Sequence, residues 1–238
     1  ATPDEAARYA LNRLICAYID LKRPVPEDLV FKEPEVDRRS ARSVTGKPVG
    51  AEPPPFLIPT CFSPLYSADT PTTSMRKLGP VAWQAAAEGL VDVEVPDPVT
   101  PDKLRRLHDP AYVDAFLAGH QPLASSQGWP WTPEIRDGVL AISDGQLLGA
   151  ELAMKHGIAA STSQGAHHAG YERGGAFCTF NFLALVANEH PEWKCLVIGV
   201  DNHEGNATGE FAARLGNLWN FSIYGSDFGG RAHARHVR

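Results

Sequence analysis

The chain has 238 residues, 43% of them hydrophobic, which is enough for one sizeable buried core. Its formal net charge of −6 provides no basic surface for nucleic acid. No apolar run approaches the roughly 18 residues that a membrane-spanning helix needs. Composition therefore indicates a soluble domain without a nucleic-acid or membrane partner. The four cysteines show no CxxC spacing, and we interpret Cys178 and Cys195 as reduced core residues, as expected for a cytoplasmic protein.

The first 55 residues form a separate region in this interpretation. Residues 3–21 are predicted to be a helix, with Thr2 as N-cap and Pro3 at the first helical position. Its apolar residues recur at helical spacing: Ala6, Ala7, Ala10, Leu11, Leu14 and Ile15. Residues 23–55 are charged and rich in proline, which predicts an irregular arm. The domain proper is expected over residues 56–238.

From Phe56 onwards, predicted strands alternate with predicted helices. Strands are expected at 56–62, 158–163, 195–200 and 218–224, and helices at 75–88, 112–118, 137–156 and 180–190, with a short one opening at Pro101. This alternation predicts an α/β fold: a three-layer, mainly parallel central sheet with helices on both faces.

The strand at 195–200 ends in an Asp-x-His pair. Its apolar residues leave no polar face, which predicts a central strand covered on both sides. Asp201 and His203 follow two residues apart, so in an extended chain they point the same way at the strand's carboxyl end, where reacting groups collect. A carboxylate beside an imidazole is half of a zinc site. A loop-capping Asp with a chance neighbouring His is the alternative.

A second constellation lies upstream, in the tandem His167-His168 and the following Gly174-Gly175 and Phe177-Cys178. Adjacent histidines can also be a solvated polar turn, and a glycine pair can simply meet a need for positive φ.

Together these segments resemble the histone deacetylase family of the arginase–deacetylase superfamily, especially its class IV-like and bacterial members. The matching motifs are residues 164–168 (QGAHH), 174–178 (GGAFC) and 199–206 (GVDNHEGN). Residues 74–78 and 107–113 are similar to the family's amino-terminal pieces. The resemblance runs from about Phe56 to the carboxyl terminus.

The resemblance implies a zinc-dependent hydrolase that removes an acyl group from an acyl-lysine, an acetylpolyamine or another N-acyl amine. Asp201 and His203 would be metal ligands. His167 and His168 would be catalytic, with His168 the better candidate for proton transfer. Phe177 and Ala176 would line the substrate tunnel.

Several departures from the family pattern accompany these matches. The family's third zinc ligand, a later Asp, and its transition-state Tyr have no evident counterpart, so we expect the last strands of the domain to be absent. Gly199 replaces an Asp that orients the first histidine and helps hold a monovalent cation such as K⁺, for which Ser222 is the remaining candidate ligand. Asp227, His233 and His236 are candidates for the third zinc ligand.

An incomplete sheet would expose a strand edge, which predicts a homo-oligomer or a second chain covering it. Two alternative functions stay open. One is a catalytically weak or inactive deacetylase-like binding module. The other is a ureohydrolase of the same superfamily, which generally uses two metals and more Asp-x-His pairs than the one present here.

Overall fold

The structure, a computed structural model, describes residues 56–237. Its first sheet is parallel, with strands β1 (Ile58–Cys61), β2 (Val91–Glu94) and β3 (Ala160–Ser161) in the order β2-β1-β3. The β1 strand is the central one, and its residues from Pro59 to Cys61 are buried. This arrangement brings the carboxyl ends of β1 and β3 to one edge, because Cys61 pairs with Ser161.

The second sheet is also parallel and contains β4 (Cys195–Gly199), β5 (Leu218–Ser222) and β6 (His236–Val237), in that order. Cys195 pairs with Leu218 and Gly199 with Ser222. Hydrogen bonding between β4 and β5 continues past the ends of the two strands, because the Ile223 N–H donates to the Gly199 carbonyl at 2.9 Å.

Helices connect these strands. Their bounds are α1 (Leu78–Ala87), α2 (Pro101–Leu107), α3 (Pro110–Ala118), α4 (Pro133–His156), α5 (Phe182–Glu189) and α6 (Asn206–Arg214). The long α4 shows why the ends fall where they do. Thr132 accepts a hydrogen bond from the Ile135 N–H at 3.2 Å, and Pro133 occupies the first position. Gly157, at φ +83°, ends the helix in the left-handed region.

The main core is formed by residues of α1 to α6 and of the first sheet, together with Leu218 of β5. An aromatic cluster forms its centre, in which the Phe180 ring lies 5.1 to 5.2 Å from the rings of His108, Tyr112 and Phe116. All four of these side chains are at most 1% exposed. No helix in the described part of the chain is long and apolar enough to cross a membrane.

The predicted α/β architecture with parallel strands is confirmed, and most predicted elements occur within a few residues of their expected bounds. The strand β2, the strand β6 and the helix α6 were missed. The predicted helix at 3–21 and the arm at 23–55 lie outside the described residues.

One expectation about β4 is wrong. It is not a central strand covered on both sides, because β5 is its only partner among the described strands. Leu196 and Ile198 are each 61% exposed, so only the opposite face of the strand is covered. Although every residue from Leu196 to Ile198 is apolar, β4 is covered on one face only.

Candidate active site

The tandem histidines and the Asp-x-His pair meet in one cleft. His167 and His168 lie on the loop that follows β3, and Asp201 and His203 follow β4. The cleft has a volume of about 670 Å³, and all four side chains line it. This position agrees with the rule that ligands bind beyond the carboxyl ends of parallel strands.

Asp201 and His203 are held side by side. The Asp201 Oδ1 lies 3.2 Å from His203 Nδ1 and accepts the His203 backbone N–H at 2.8 Å. Partial burial alone would raise the pKa of Asp201. The backbone hydrogen bond and the neighbouring imidazoles outweigh burial and hold this pKa below its usual range. Asp201 is therefore ionised at neutral pH, as a metal ligand must be.

The two tandem histidines are neutral at neutral pH. Burial, aided by the proximity of His168, lowers the pKa of His167 to about 4. Burial also lowers the pKa of His168. The His167 Nε2 lies 3.8 Å from the Asp201 Oδ1, and the two imidazole rings are 4.1 Å apart. Each ring can therefore offer a nitrogen lone pair at neutral pH.

The orientation of the tandem histidines depends on helix α6. The His168 Nδ1 lies 2.7 Å from the side-chain oxygen of Asn206, the first residue of this helix. The His167 carbonyl accepts the backbone N–H groups of Ala207 and Thr208 at 3.2 and 3.3 Å. Backbone N–H groups in the first turn of α6, which have no partner within the helix, thus donate to the histidine loop and hold it in place.

Aromatic side chains form the walls of the cleft. The Phe228 ring stacks on His168 at 4.2 Å and contacts His203 edge-on at 5.0 Å. On the loop after the histidines, Phe177 is 42% exposed and stacks on buried Trp129 at 5.6 Å. Ala176 and Phe177 line the cleft. Both have positive φ, +43° and +67°, so the loop is strained where it meets the cleft.

A buried carboxylate that sequence reasoning missed holds Phe228 in place. Glu204 is fully buried, and its Oε2 accepts the backbone N–H groups of Phe228 at 3.2 Å and Gly230 at 2.9 Å. Its Oε1 lies 3.3 Å from His236 Nε2. Phe228 belongs to no local motif, and Glu204 lies within the motif at residues 199–206 without a role assigned to it there. Their contact depends on the chain returning after β5.

His108 connects the histidine loop to helix α5. Its Nδ1 lies 2.9 Å from the Gly170 carbonyl, and its Nε2 accepts the Asn181 backbone N–H at 3.1 Å. Nδ1 therefore carries the proton and donates to Gly170. Burial lowers the pKa of His108 to about 4, so the ring is neutral in the folded protein. It lies outside the cleft and acts as a buried link between two segments of the site.

The three candidates for a third metal ligand lie outside the cleft. His236 is buried between Asn220 and Glu204, and His233 Nε2 lies 2.8 Å from the Gly209 carbonyl. Asp227 accepts the Gly229 N–H at 2.6 Å. None of these three candidates lines the cleft. Among residues 56–237, no group of three or more His, Cys, Asp or Glu is arranged to hold a metal ion.

Ser222, the candidate cation ligand, is buried at the end of β5. Its hydroxyl oxygen accepts the Gly205 N–H at 3.2 Å and lies 3.3 Å from the Asn220 amide nitrogen. A monovalent cation would have to share this oxygen with those donors. A Cβ at Gly199 would meet the Ser222 hydroxyl at 3.6 Å, an ordinary contact, so steric crowding does not explain the glycine.

Both the sequence and the fold are similar to those of known proteins. Residues 73–232 match the family model "Histone deacetylase domain". An uncharacterized protein from Picosynechococcus sp. is 31% identical over 146 residues, which is 58% of this chain and 49% of that protein. The chain thus spans about half the length of this curated relative. The crystal structure of the HDA15 HD domain superposes with a TM-score of 0.60 at 18% identity, covering 75% of this chain and 58% of that one. This protein belongs to the histone deacetylase domain family.

Proposed function

We propose that this chain carries the site of a zinc-dependent hydrolase that removes an acyl group from an acyl-lysine, an acetylpolyamine or a related N-acyl amine. The observation that carries the proposal is the meeting of the tandem histidines with the Asp201 carboxylate and the His203 imidazole in one cleft. Membership of the histone deacetylase domain family supports amide hydrolysis as the reaction class.

The donor set at the cleft fits zinc in part. A carboxylate oxygen and an imidazole nitrogen are ligands that zinc accepts, and those of Asp201 and His203 are 3.2 Å apart. A catalytic site needs a third protein ligand, which the described residues do not place beside this pair. When bound, zinc would polarise the substrate carbonyl and lower the pKa of a water molecule.

The remaining roles belong to side chains of this chain. His168, oriented through Asn206, would transfer the proton to the leaving amine, and His167 would be its electrostatic partner. Phe177 and Phe228 would hold the extended apolar part of the substrate between their rings. Ala176 would contribute its methyl group to the same wall.

The test is zinc stoichiometry by elemental analysis of the purified chain, with Asp201→Ala as the control. We expect close to one zinc per chain in the wild type and loss of zinc in the variant. Hydrolysis of acetyl-lysine and acetylpolyamine substrates would then be measured for the wild type and for His168→Ala. Retention of zinc by Asp201→Ala, or equal hydrolysis by His168→Ala, would overturn the assignment.

A second candidate function is a catalytically weak or inactive deacetylase-like module that binds a ligand in the same cleft. It is favoured by the lack of a third ligand beside Asp201 and His203 among the described residues. Binding of an N-acyl amine without zinc and without hydrolysis would support it. In that case Phe177→Ala should weaken binding, whereas Asp201→Ala should not.

A further inference from the structure

The second sheet has one face that is apolar and exposed. We call it the outer face and define it by the side chains of Leu196, Ile198, Val200, Trp219, Phe221, Ile223 and Val237. Exposure is 61% for Ile198, 77% for Val200 and 57% for Ile223. The opposite face, which includes Asn220, Ser222 and His236, is buried. Alternation of side chains along each strand accounts for this division.

The residues of the outer face form one contiguous patch. The parallel register aligns Ile198 with Phe221 and Phe221 with Val237, so these three side chains form a row across all three strands. Leu196 and Trp219 form the next row. Apolar residues scattered singly over a surface are ordinary, but a contiguous patch of this kind marks an interaction site. Parallel sheets are, moreover, normally covered on both faces.

The size of the outer face limits what can cover it. The strands β4 and β5 have five residues each and β6 has two, so the face spans at most roughly 14 Å by 17 Å at standard strand spacing and rise. A stable interface between two proteins requires about 800 Å² from each partner, well beyond this footprint. A single helix, about 10 Å in diameter, matches it. The footprint therefore favours one helix over a second copy of the chain.

We propose that residues 3–21 of this chain cover the outer face. These residues lie outside the described part of the chain, and their sequence predicts a helix with an apolar stripe that includes Leu11, Leu14 and Ile15. Such a helix is about 28 Å long, enough to cross all three strands. Apolar residues on both surfaces would be removed from water together.

The linker between residues 3–21 and the domain is long enough for this segment to reach the outer face. Residues 22–55 can extend to about 110 Å, so the linker does not restrict which part of the sheet the segment reaches. Tethering gives a segment an effective concentration of up to about millimolar, an advantage that a free partner lacks. The surface is separate from the cleft, and this proposal does not depend on the proposed function.

Two variants of the 238-residue chain with equal charge test the proposal. Leu14→Asp places a carboxylate within the apolar stripe, whereas Asn12→Asp adds the same charge outside it. We expect a several-fold increase in the fluorescence of the hydrophobic dye ANS for Leu14→Asp and no increase for Asn12→Asp, because only the first exposes the outer face. Equal fluorescence of the two variants would overturn the proposal.

Cross-linking identifies the occupant directly. In a Cys16→Ser, Cys195→Ser background, Leu14→Cys is combined either with Ile198→Cys on the outer face or with Met154→Cys, a 66% exposed control position on α4. A short bismaleimide should join positions 14 and 198 within one chain and leave 14 and 154 unlinked. A species of twice the mass would show that a second copy covers the face instead. That outcome, or equal linking of both pairs, would overturn the proposal.

Discussion

The side chains of His168 and Asn206 are joined by a contact of 2.7 Å between Nδ1 and the amide oxygen. An amide oxygen can only accept a hydrogen bond, so this contact requires the proton of the neutral imidazole to be on Nδ1. Nε2 of His168 then keeps its lone pair and is the nitrogen available for proton transfer. One residue of α6 thus selects the tautomer of the candidate catalytic base.

Replacing Asn206 with alanine should remove this selection. We expect the 15N chemical shifts of the His168 ring to change from a single Nδ1-protonated tautomer to a mixture, because nothing then favours one nitrogen. If the chain hydrolyses N-acyl amines, kcat should fall by about tenfold or more with little change in KM. Asn188→Ala, on α5, is the matched control. Unchanged ring shifts in Asn206→Ala would show that the orientation of His168 has another origin.

The buried His108 predicts a dependence of stability on pH. Its pKa is about 4 in the folded protein and about 6.5 when unfolded, so the unfolded chain binds more protons between these values. The stability is therefore fully present above pH 6.5 and is lost as the pH falls towards 4. The loss attributable to this residue reaches about 3 kcal/mol at pH 4.

The measurement compares urea unfolding of the wild type and His108→Gln between pH 7 and pH 4.5. His167 has a pKa lowered in the same direction, so His108→Gln keeps the part of the pH dependence that comes from that residue. We expect the free energy of unfolding of His108→Gln to be lower at pH 7 but to fall less steeply with acid. Parallel curves for the two proteins would contradict the prediction.

Replacing two glycines one turn apart in α4 with alanine should change the stability of the protein in opposite directions. A Cβ at Gly145 would overlap the hydroxyl oxygen of buried Tyr66, whereas one at Gly149 would make ordinary contacts of 3.7 and 3.8 Å with Cys61 and Ala160. Gly145→Ala should destabilise the protein by about 3 kcal/mol. Gly149→Ala should stabilise it by about 0.5 to 1 kcal/mol, because alanine is the better helix former. Thermal unfolding of both variants measures the difference, and the same sign for both would refute the packing.

The strained loop at Ala176 offers a third stability test. The residue has φ +43°, a conformation that costs an L-residue about 1 kcal/mol or more and glycine almost nothing. Ala176→Gly should therefore leave stability unchanged or raise it slightly, contrary to the usual effect of the substitution. Ala184→Gly, in the buried part of α5, should lower the melting temperature by several degrees. If Ala176→Gly lowered the melting temperature as much as Ala184→Gly, the backbone at Ala176 would carry no strain.

The four polar residues of the cleft could be singled out from the sequence because their positions relative to strand ends are local features. Asp201 and His203 follow β4 directly, and the tandem histidines lie on the loop after β3. The rule that ligands bind beyond the carboxyl ends of parallel strands therefore predicts that they meet, although the two strands belong to different sheets. The long helix α4 was likewise predictable, although its start at Pro133 lies four residues before the expected bound at Asp137. The cap formed by Thr132 and Pro133 accounts for the earlier start.

The tertiary structure alone decided which residues support and surround that site. Phe228 reaches it because the chain returns after β5 and is held there by Glu204, and His108 because α2 ends beside the histidine loop. The exposure of Ile198 could not be predicted from the sequence either, because its apolar neighbours along the chain predicted a strand buried on both faces. Residue type and spacing are properties of a segment and determined the strand and the motif. Burial, tautomer and pKa depend on which distant segments pack against a group, so they follow only from the folded chain.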